Sequence, residues 1–383
     1  MKIALYTIFR CTNYGALLQA YALAKVLRRI CGEDSVDVLN HRMDPRDNHL
    51  LGKISNPSTP WFQRWRNRRK AAKRYVSPDL FEVRRQKTVQ FIDEEIRPTK
   101  HLYKTPFEMR EMPAYKIVVV GSDQIWNPVL NHDFGMNQYL AECLPENQKR
   151  VAYAASFGVS ELPPEFLCRY AAALRRFGKI TVREKTGAKI CESLLGASPE
   201  VVLDPTMLLA ADEWSVAAGA DGVQLDGDYL AAYWVRRITQ ADVDAMARLA
   251  KEKAMRVRLM SAGPLPKLSF PDCIIPAVDA GPLEFVRILS RSSAVVTDSF
   301  HGLQFSFIFR KPFLAVADLC SSGSNASRLV DFCGDFGIVG GVKDIGAFAS
   351  GAAVGFSDPR EMDEVAFAAA IGRSNKILEG LVS

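Results

Sequence analysis

The sequence predicts an α/β protein built of two doubly wound, Rossmann-like domains facing a cleft. Three observations carry that prediction. Short apolar runs alternate with stretches of helical period along most of the chain. The first apolar run passes through a glycine-containing turn straight into a helix, which is how a parallel sheet opens. At 383 residues the chain exceeds one ordinary domain, and its 48% hydrophobic and 24% charged residues supply cores while excluding disorder.

Element by element, KIALYT (2–7) reads as a buried strand, ALLQAYALAKVLRRI (16–30) as a one-faced helix, and SVDVLN (35–40) as the next strand. Residues 45–110 break the alternation with prolines at 45, 57 and 60, a basic run and a helical stretch at 81–96; they are expected to project as an insertion. Strands resume at 115–122, 150–158, 179–187 and 201–206, with a helix at 164–177. Asp204-Pro205 marks the domain exit, because proline disfavours helix in the residue before it. In the second half, strands fall at 228–235, 256–263, 294–300 and 312–318. Helices are expected at 281–292, 301–310 and 324–337, and another opens on a Thr239–Asp242 capping box and runs to about 254. The expected division is 1–206, 207–355 and a terminal helix within 356–383 returning to the first domain.

The charge excludes one function class. Net charge is +6, yet residues 61–75 hold Arg64, Arg66, Arg68, Arg69, Lys70, Lys73 and Arg74 with no acid, leaving the remainder at −1. A basic balance so local gives no warrant for a nucleic-acid partner. Trp61, Trp65 and Tyr75 interleave with it, which suits weak peripheral contact with an anionic lipid surface or polyanionic glycan, although such runs are more often solvated faces. The eight cysteines show neither Cys-x-x-Cys pairs nor zinc spacing, so they read as reduced thiols of a cytoplasmic protein, with no metal expected. Arg10, Thr12 and Asn13 interrupt the first apolar run too early for a signal peptide, and no run of about 18 apolar residues spans a membrane.

Ligands of doubly wound sheets bind beyond the carboxyl ends of the strands, so polar residues there are the candidates. AVVTDSFHG (294–302) runs an apolar strand into Asp298, Ser299, His301 and Gly302. His301 falls near a helix N-terminus, where backbone amides favour an anion, and an arriving anion would help protonate the imidazole for general acid catalysis. The alternative is a histidine that only caps or packs. VVVGSDQIWNP (118–128) presents Asp123, Gln124 and Trp126: a carboxylate and amide for sugar hydroxyls, and an aromatic face for the ring, with a simple turn as the competing reading. Asn13, Tyr14 and Gly15 lie between first strand and first helix, but the G-x-G-x-x-G fingerprint is absent and a plain capped helix start remains open. Arg183 follows a strand and could clamp a carboxylate or phosphate, or merely pair with Glu184 at the surface. Lys311, Asn325 and Arg328 complete the list of candidate donor-site residues.

In content and order, TNYGALLQAYAL, VVVGSDQIWNP, AYAASFG, VREKTGAKI, LDPTMLL, VVTDSFHG and KPFLAV resemble the polysaccharide pyruvyl transferase family over nearly the full chain. The resemblance implies a fold like the B-type glycosyltransferases and transfer of the enolpyruvyl carbons of phosphoenolpyruvate to two sugar hydroxyls as a ketal. It implies no cofactor and no essential metal, with a sugar or lipid-linked oligosaccharide as acceptor in polysaccharide and cell-envelope biosynthesis; the expected location is the cytoplasm, with the inner face of the membrane as an option through 61–75. It places the family's histidine at His301 and its strand-end arginine at Arg183. Relatives carry an arginine two residues before the histidine; here that residue is Ser299, leaving Arg183, Arg310, Lys311 or Arg328 to supply the missing charge. The expected chemistry has His301 protonating the donor, phosphate held by the amides at 301–303, and Asp123 or Asp298 taking a hydroxyl proton. A nucleotide-sugar glycosyltransferase and a non-catalytic glycan-binding relative are the alternatives; oligomeric state is left open.

Overall fold

The computed structural model describes residues 2–41, 61–128, 139–219, 228–320, 326–352 and 355–383. Asn325 and residues 45–60 of the expected insertion lie outside them.

The first domain holds β1 (Ile3–Tyr6), β2 (Val36–Val38), β3 (Ile117–Val120), β4 (Arg150–Ala155), β5 (Lys179–Val182) and β6 (Glu200–Val201), in the order β2-β1-β3-β4-β5-β6. The second holds β7 (Tyr229–Trp234), β8 (Arg256–Ser261), β9 (Ile274–Pro276), β10 (Ala294–Thr297), β11 (Phe313–Ala317) and β12 (Val342–Asp344), ordered β12-β11-β10-β7-β8-β9. Every ladder is parallel. Strands β1, β4, β7, β10 and β11 are buried along their whole length, as parallel strands covered by helices on both faces must be. The short edge strands β9 and β12 are missing from the sequence reading; three residues are too few to show a period.

Local chemistry starts the helices. Asn13 Oδ1 accepts from the amides of Gly15 and Ala16 and opens helix Tyr14–Cys31. Thr239 and Asp242 form the expected reciprocal box on helix Gln240–Glu252, Asp242 Oδ2 accepting from Thr239 N at 2.8 Å. Ser299 caps helix Phe300–Ile308 through its hydroxyl.

The domains share apolar packing. Leu17 and Tyr21 of helix Tyr14–Cys31 belong to one buried cluster with Trp214, Phe285 and Phe305. The rings of Tyr21 and Trp214 lie 5.5 Å apart. The described part of the insertion does not project, contrary to the sequence expectation. Helices Trp61–Arg74 and Pro78–Phe91 lie against the second domain, with Ala71 and Phe81 inside its core beside Leu230 and Trp234. Val76 N donates to Leu265 O at 2.9 Å, and Lys267 N to Arg74 O at 2.9 Å. Buried Arg84 ties the arm to both domains, donating to the Ser261 and Ala262 carbonyls of the second and the Thr12 carbonyl of the first. Its guanidinium also lies 4.1 Å over the Tyr14 ring. Such polar anchoring cannot be read from an apolar period.

Helix Glu364–Val382 lies against the first domain: Ser374 Oγ accepts from Leu203 N at 3.0 Å, and Lys116 Nζ donates to Val382 O at 3.0 Å. None of the eight cysteines, all among the described residues, forms a disulfide. No helix among the described residues is long and apolar enough to cross a membrane.

Candidate active site

The densest group of buried charge sits where the carboxyl ends of the first sheet meet helix Phe300–Ile308. Arg183 leaves the end of β5 with its side chain 1% exposed. Its Nη1 donates to Asp204 Oδ2 at 2.6 Å and its Nη2 to Asp123 Oδ1 at 3.3 Å, while Nε lies 3.8 Å from Glu184 Oε2. The surface Arg183–Glu184 pair weighed from sequence is therefore absent; both residues are interior. Asp204, fully buried, also accepts from the amide and hydroxyl of Thr206 at 3.0 and 2.8 Å. Its Oδ2 lies 3.4 Å from His301 Nε2, an ion-pair distance longer than a good hydrogen bond.

His301 reaches across from the second domain and is buried, with Nε2 facing the Arg183–Asp204 pair. Its ring rests on Gly15, where a β-carbon would come within 2.1 Å of Nδ1, so only glycine fits beneath it. Burial alone would push the Asp204 carboxyl up, but the charges of His301 and Arg183 and the Thr206 amide hold it well below the usual carboxylate range. Burial works to lower the Arg183 pKa, and Asp204, Asp123 and Glu184 reverse it to well above the ordinary value.

A second guanidinium joins the group. Arg328, in the first turn of helix Ala326–Asp335, is buried and faces Gln124; with the Gln124 carbonyl turned toward it, Nη1 and Nη2 donate at 2.9 and 2.8 Å. Arg183 and Arg328 both lie on the Phe300 ring, at 5.0 and 5.7 Å. Burial, then the charge of Arg183, push the Arg328 pKa down to about 10, with Glu184, Asp123 and Asp204 only partly offsetting them. Arg183 Nε, Arg328 Nε and His301 Nε2 are buried with no hydrogen-bond partner. Two buried guanidiniums on one aromatic ring, each with an Nε donor unspent, are suited to an anion.

Several candidates from the sequence stand elsewhere. Trp126 is fully buried, donates from Nε1 to Tyr139 O at 3.0 Å and packs on Phe157 and Phe177, so it offers no ring face to a sugar. Tyr14 is equally buried, stacked 4.5 Å from Phe285 with its hydroxyl donating to Ala280 O; it joins the domains and is not placed to bind an acceptor. Asn13 is a cap that also accepts from Tyr233 Oη at 3.4 Å. The Ser299 hydroxyl accepts from Gly302 N at 3.3 Å, and Leu303 N donates to Ser299 O at 3.0 Å. Those two amides are therefore spent within the protein, and the phosphate cradle expected at 301–303 is not presented. Gly302 has a packing role, since a β-carbon would meet Thr297 Oγ1 at 2.4 Å. Asp298 accepts from the amides of Val235 and Arg236 at 2.6 and 3.1 Å, so it ties β10 to the end of β7 and is not part of the His301 group. Lys311 precedes β11, at the opposite edge of the sheet, and Arg310 pairs there with Glu364 at 2.7 Å.

The structure thus brings together His301, Asp123, Gln124, Arg183 and Arg328. Asp204, the hub, is the residue the sequence reading missed. Its signal is a carboxylate directly after a strand and before proline, which reads equally well as a boundary.

The polysaccharide pyruvyl transferase family model matches residues 13–318. No curated protein matches the sequence. Among solved structures, UDP-GlcNAc 2-epimerase from Methanocaldococcus jannaschii is similar at 9% identity and TM-score 0.45, covering 96% of this chain and 98% of its own. UDP-GlcNAc 2-epimerase from Neisseria meningitidis is similar at 10% identity and TM-score 0.43, covering 100% and 99%. An E. coli ADP-bound heptosyltransferase follows at 11% identity and TM-score 0.35, covering 84% and 88%. On the family match, spread over both sheets and every residue of the buried charged group except Arg328, the chain belongs to the polysaccharide pyruvyl transferase family, and is a transferase.

Proposed function

We propose that the protein moves the enolpyruvyl carbons of phosphoenolpyruvate onto two hydroxyls of a sugar acceptor, forming a ketal and releasing phosphate. The observation that carries this reading is the pair of buried guanidiniums, Arg183 and Arg328, sharing one aromatic ring beside His301. A trianionic donor needs several fixed cations, and Ser299 supplies none. Arg328 provides that charge from a helix further along the chain.

In this mechanism the two arginines hold the donor's carboxylate and phosphate. Asp204 Oδ2 faces His301 Nε2 at 3.4 Å, and His301 passes a proton to the methylene carbon. Positive character develops at the central carbon of the donor. A hydroxyl oriented by Gln124 attacks it and yields its proton to Asp123, which is only partly buried. Phosphate then leaves with the electrons of its carbon–oxygen bond and takes up the proton held by Asp123, and the second hydroxyl closes the ketal as its proton returns to His301.

Calorimetric titration with phosphoenolpyruvate tests the donor. The native protein is expected to bind it, and Arg328→Met to bind about 10- to 100-fold more weakly, the worth of a charge-assisted contact. Binding of a UDP- or GDP-sugar with no response to phosphoenolpyruvate would replace this reading with glycosyl transfer.

A further inference from the structure

Helix Trp61–Arg74 has one face in the core and another exposed. Ala71 is fully buried in the core of the second domain, and Tyr75, just past the helix, packs against it. On the other side Arg66, Arg69, Lys70, Lys73 and Arg74 are all exposed. At the helical repeat of about 100° per residue these five fall within an arc of about 140°, clear of Ala71. No acidic residue occurs between 61 and 75, and the same stretch brings three large aromatics, Trp61, Phe62 and Trp65, in sequence.

The position of the helix matters as much as its charge. It is held through Arg74, Tyr75 and Val76 to Leu265, Pro266 and Lys267, in the segment that follows β8. That segment leaves the carboxyl edge of the second sheet, the edge that also carries His301. The C-terminal end of the basic helix is therefore anchored at that edge.

We propose that this helix docks the protein on a bilayer surface containing anionic lipid. Cationic and aromatic residues on one short helix are what interfacial helices use: charge to approach the headgroups, aromatic bulk to settle among them. A soluble polyanion such as single-stranded RNA would use the same charge and stack bases on aromatics, but the remainder of the chain, at −1, adds no net attraction for a long phosphate backbone. The inference is independent of which donor the active site takes.

Co-sedimentation with vesicles tests it. The protein is expected to pellet with phosphatidylcholine–phosphatidylglycerol vesicles, to remain in solution with phosphatidylcholine alone, and to be released by high salt. The triple variant Arg66→Gln/Lys70→Gln/Lys73→Gln should lower the partition coefficient about a hundredfold, at roughly a tenfold loss for every one or two charges removed. An unchanged circular dichroism spectrum and melting temperature would show that the arm is still seated. Equal pelleting by the variant, or no selectivity for phosphatidylglycerol, overturns the proposal. Tighter binding to single-stranded RNA than to the anionic vesicles would also overturn it, assigning the patch to a soluble polyanion.

Discussion

The two sheets are close relatives in topology and opposites in what their strand ends carry. At the end of β10, Thr297 donates to Tyr233 O, Asp298 accepts two backbone amides and Ser299 caps the next helix. Every polar group there is spent inside the protein. At the first sheet, Asp123, Arg183, Glu184 and Asp204 are crowded around shared charges, with Arg183 Nε and Glu184 Oε2 paired by charge at 3.8 Å but left without hydrogen bonds. His301 and Arg328 lean across from the second domain, with the Phe300 ring and Gln304 beside them. Polar residues after a buried strand mark a site only when their hydrogen bonds are not already used by the fold.

Removing Arg183 should break the comparison most severely. Arg183→Met leaves Asp204 buried without its cation, so the variant should lose about 3–5 kcal/mol of stability together with all turnover. Chemical denaturation of variant and native protein measures it. A loss below about 1 kcal/mol would mean that the first-sheet cluster is not held together by this ion pair.

His301→Ala acts on the chemistry and, because the ring is buried, on stability too, so turnover is compared on the folded fraction measured by denaturation. Phosphate release from phosphoenolpyruvate should fall about 10²- to 10⁴-fold, the worth of a positioned general acid. A turnover near that of the native protein would leave His301 with a packing role on Gly15.

What the sequence made legible follows the range of the forces involved. Alternating apolar runs reveal parallel strands, because burial on both faces is written into each strand; hence β1, β7 and β10 were readable. His301 and Arg183 stood out because charged residues after such runs need a reason. The position of Arg328 and the centrality of Asp204 were hidden, since both depend on contacts more than 20 residues away in sequence. Trp126 misled for the same reason in reverse: an aromatic after Gly-Ser-Asp-Gln looks like a sugar platform until Phe157 and Phe177 cover it. The arm at 61–91 could not be placed either, as its few apolar residues belong to a core assembled by the other domain.

The smallest effect separates the two kinds of strand end by their response to pH. Burial pushes the Asp298 carboxyl up to about 6, with the Val235 and Arg236 amides only partly opposing it. A raised folded-state value means the native protein binds this proton more tightly than the unfolded chain does. The contribution of Asp298 to stability is therefore greatest below its ordinary value of 3.8 and is lost as pH rises through about 6. Asp204 has the opposite sign: its depressed value gives stability above the ordinary carboxylate range, lost only in strong acid. Melting temperatures of the native protein and Asp298→Asn, followed from pH 4 to pH 8, should show the native protein losing ground to the variant up to about pH 6 and the difference then holding level. A difference that does not change over that range would mean the two amides keep Asp298 ionised throughout, making the latch between β10 and β7 as fully charged as the cluster around Arg183.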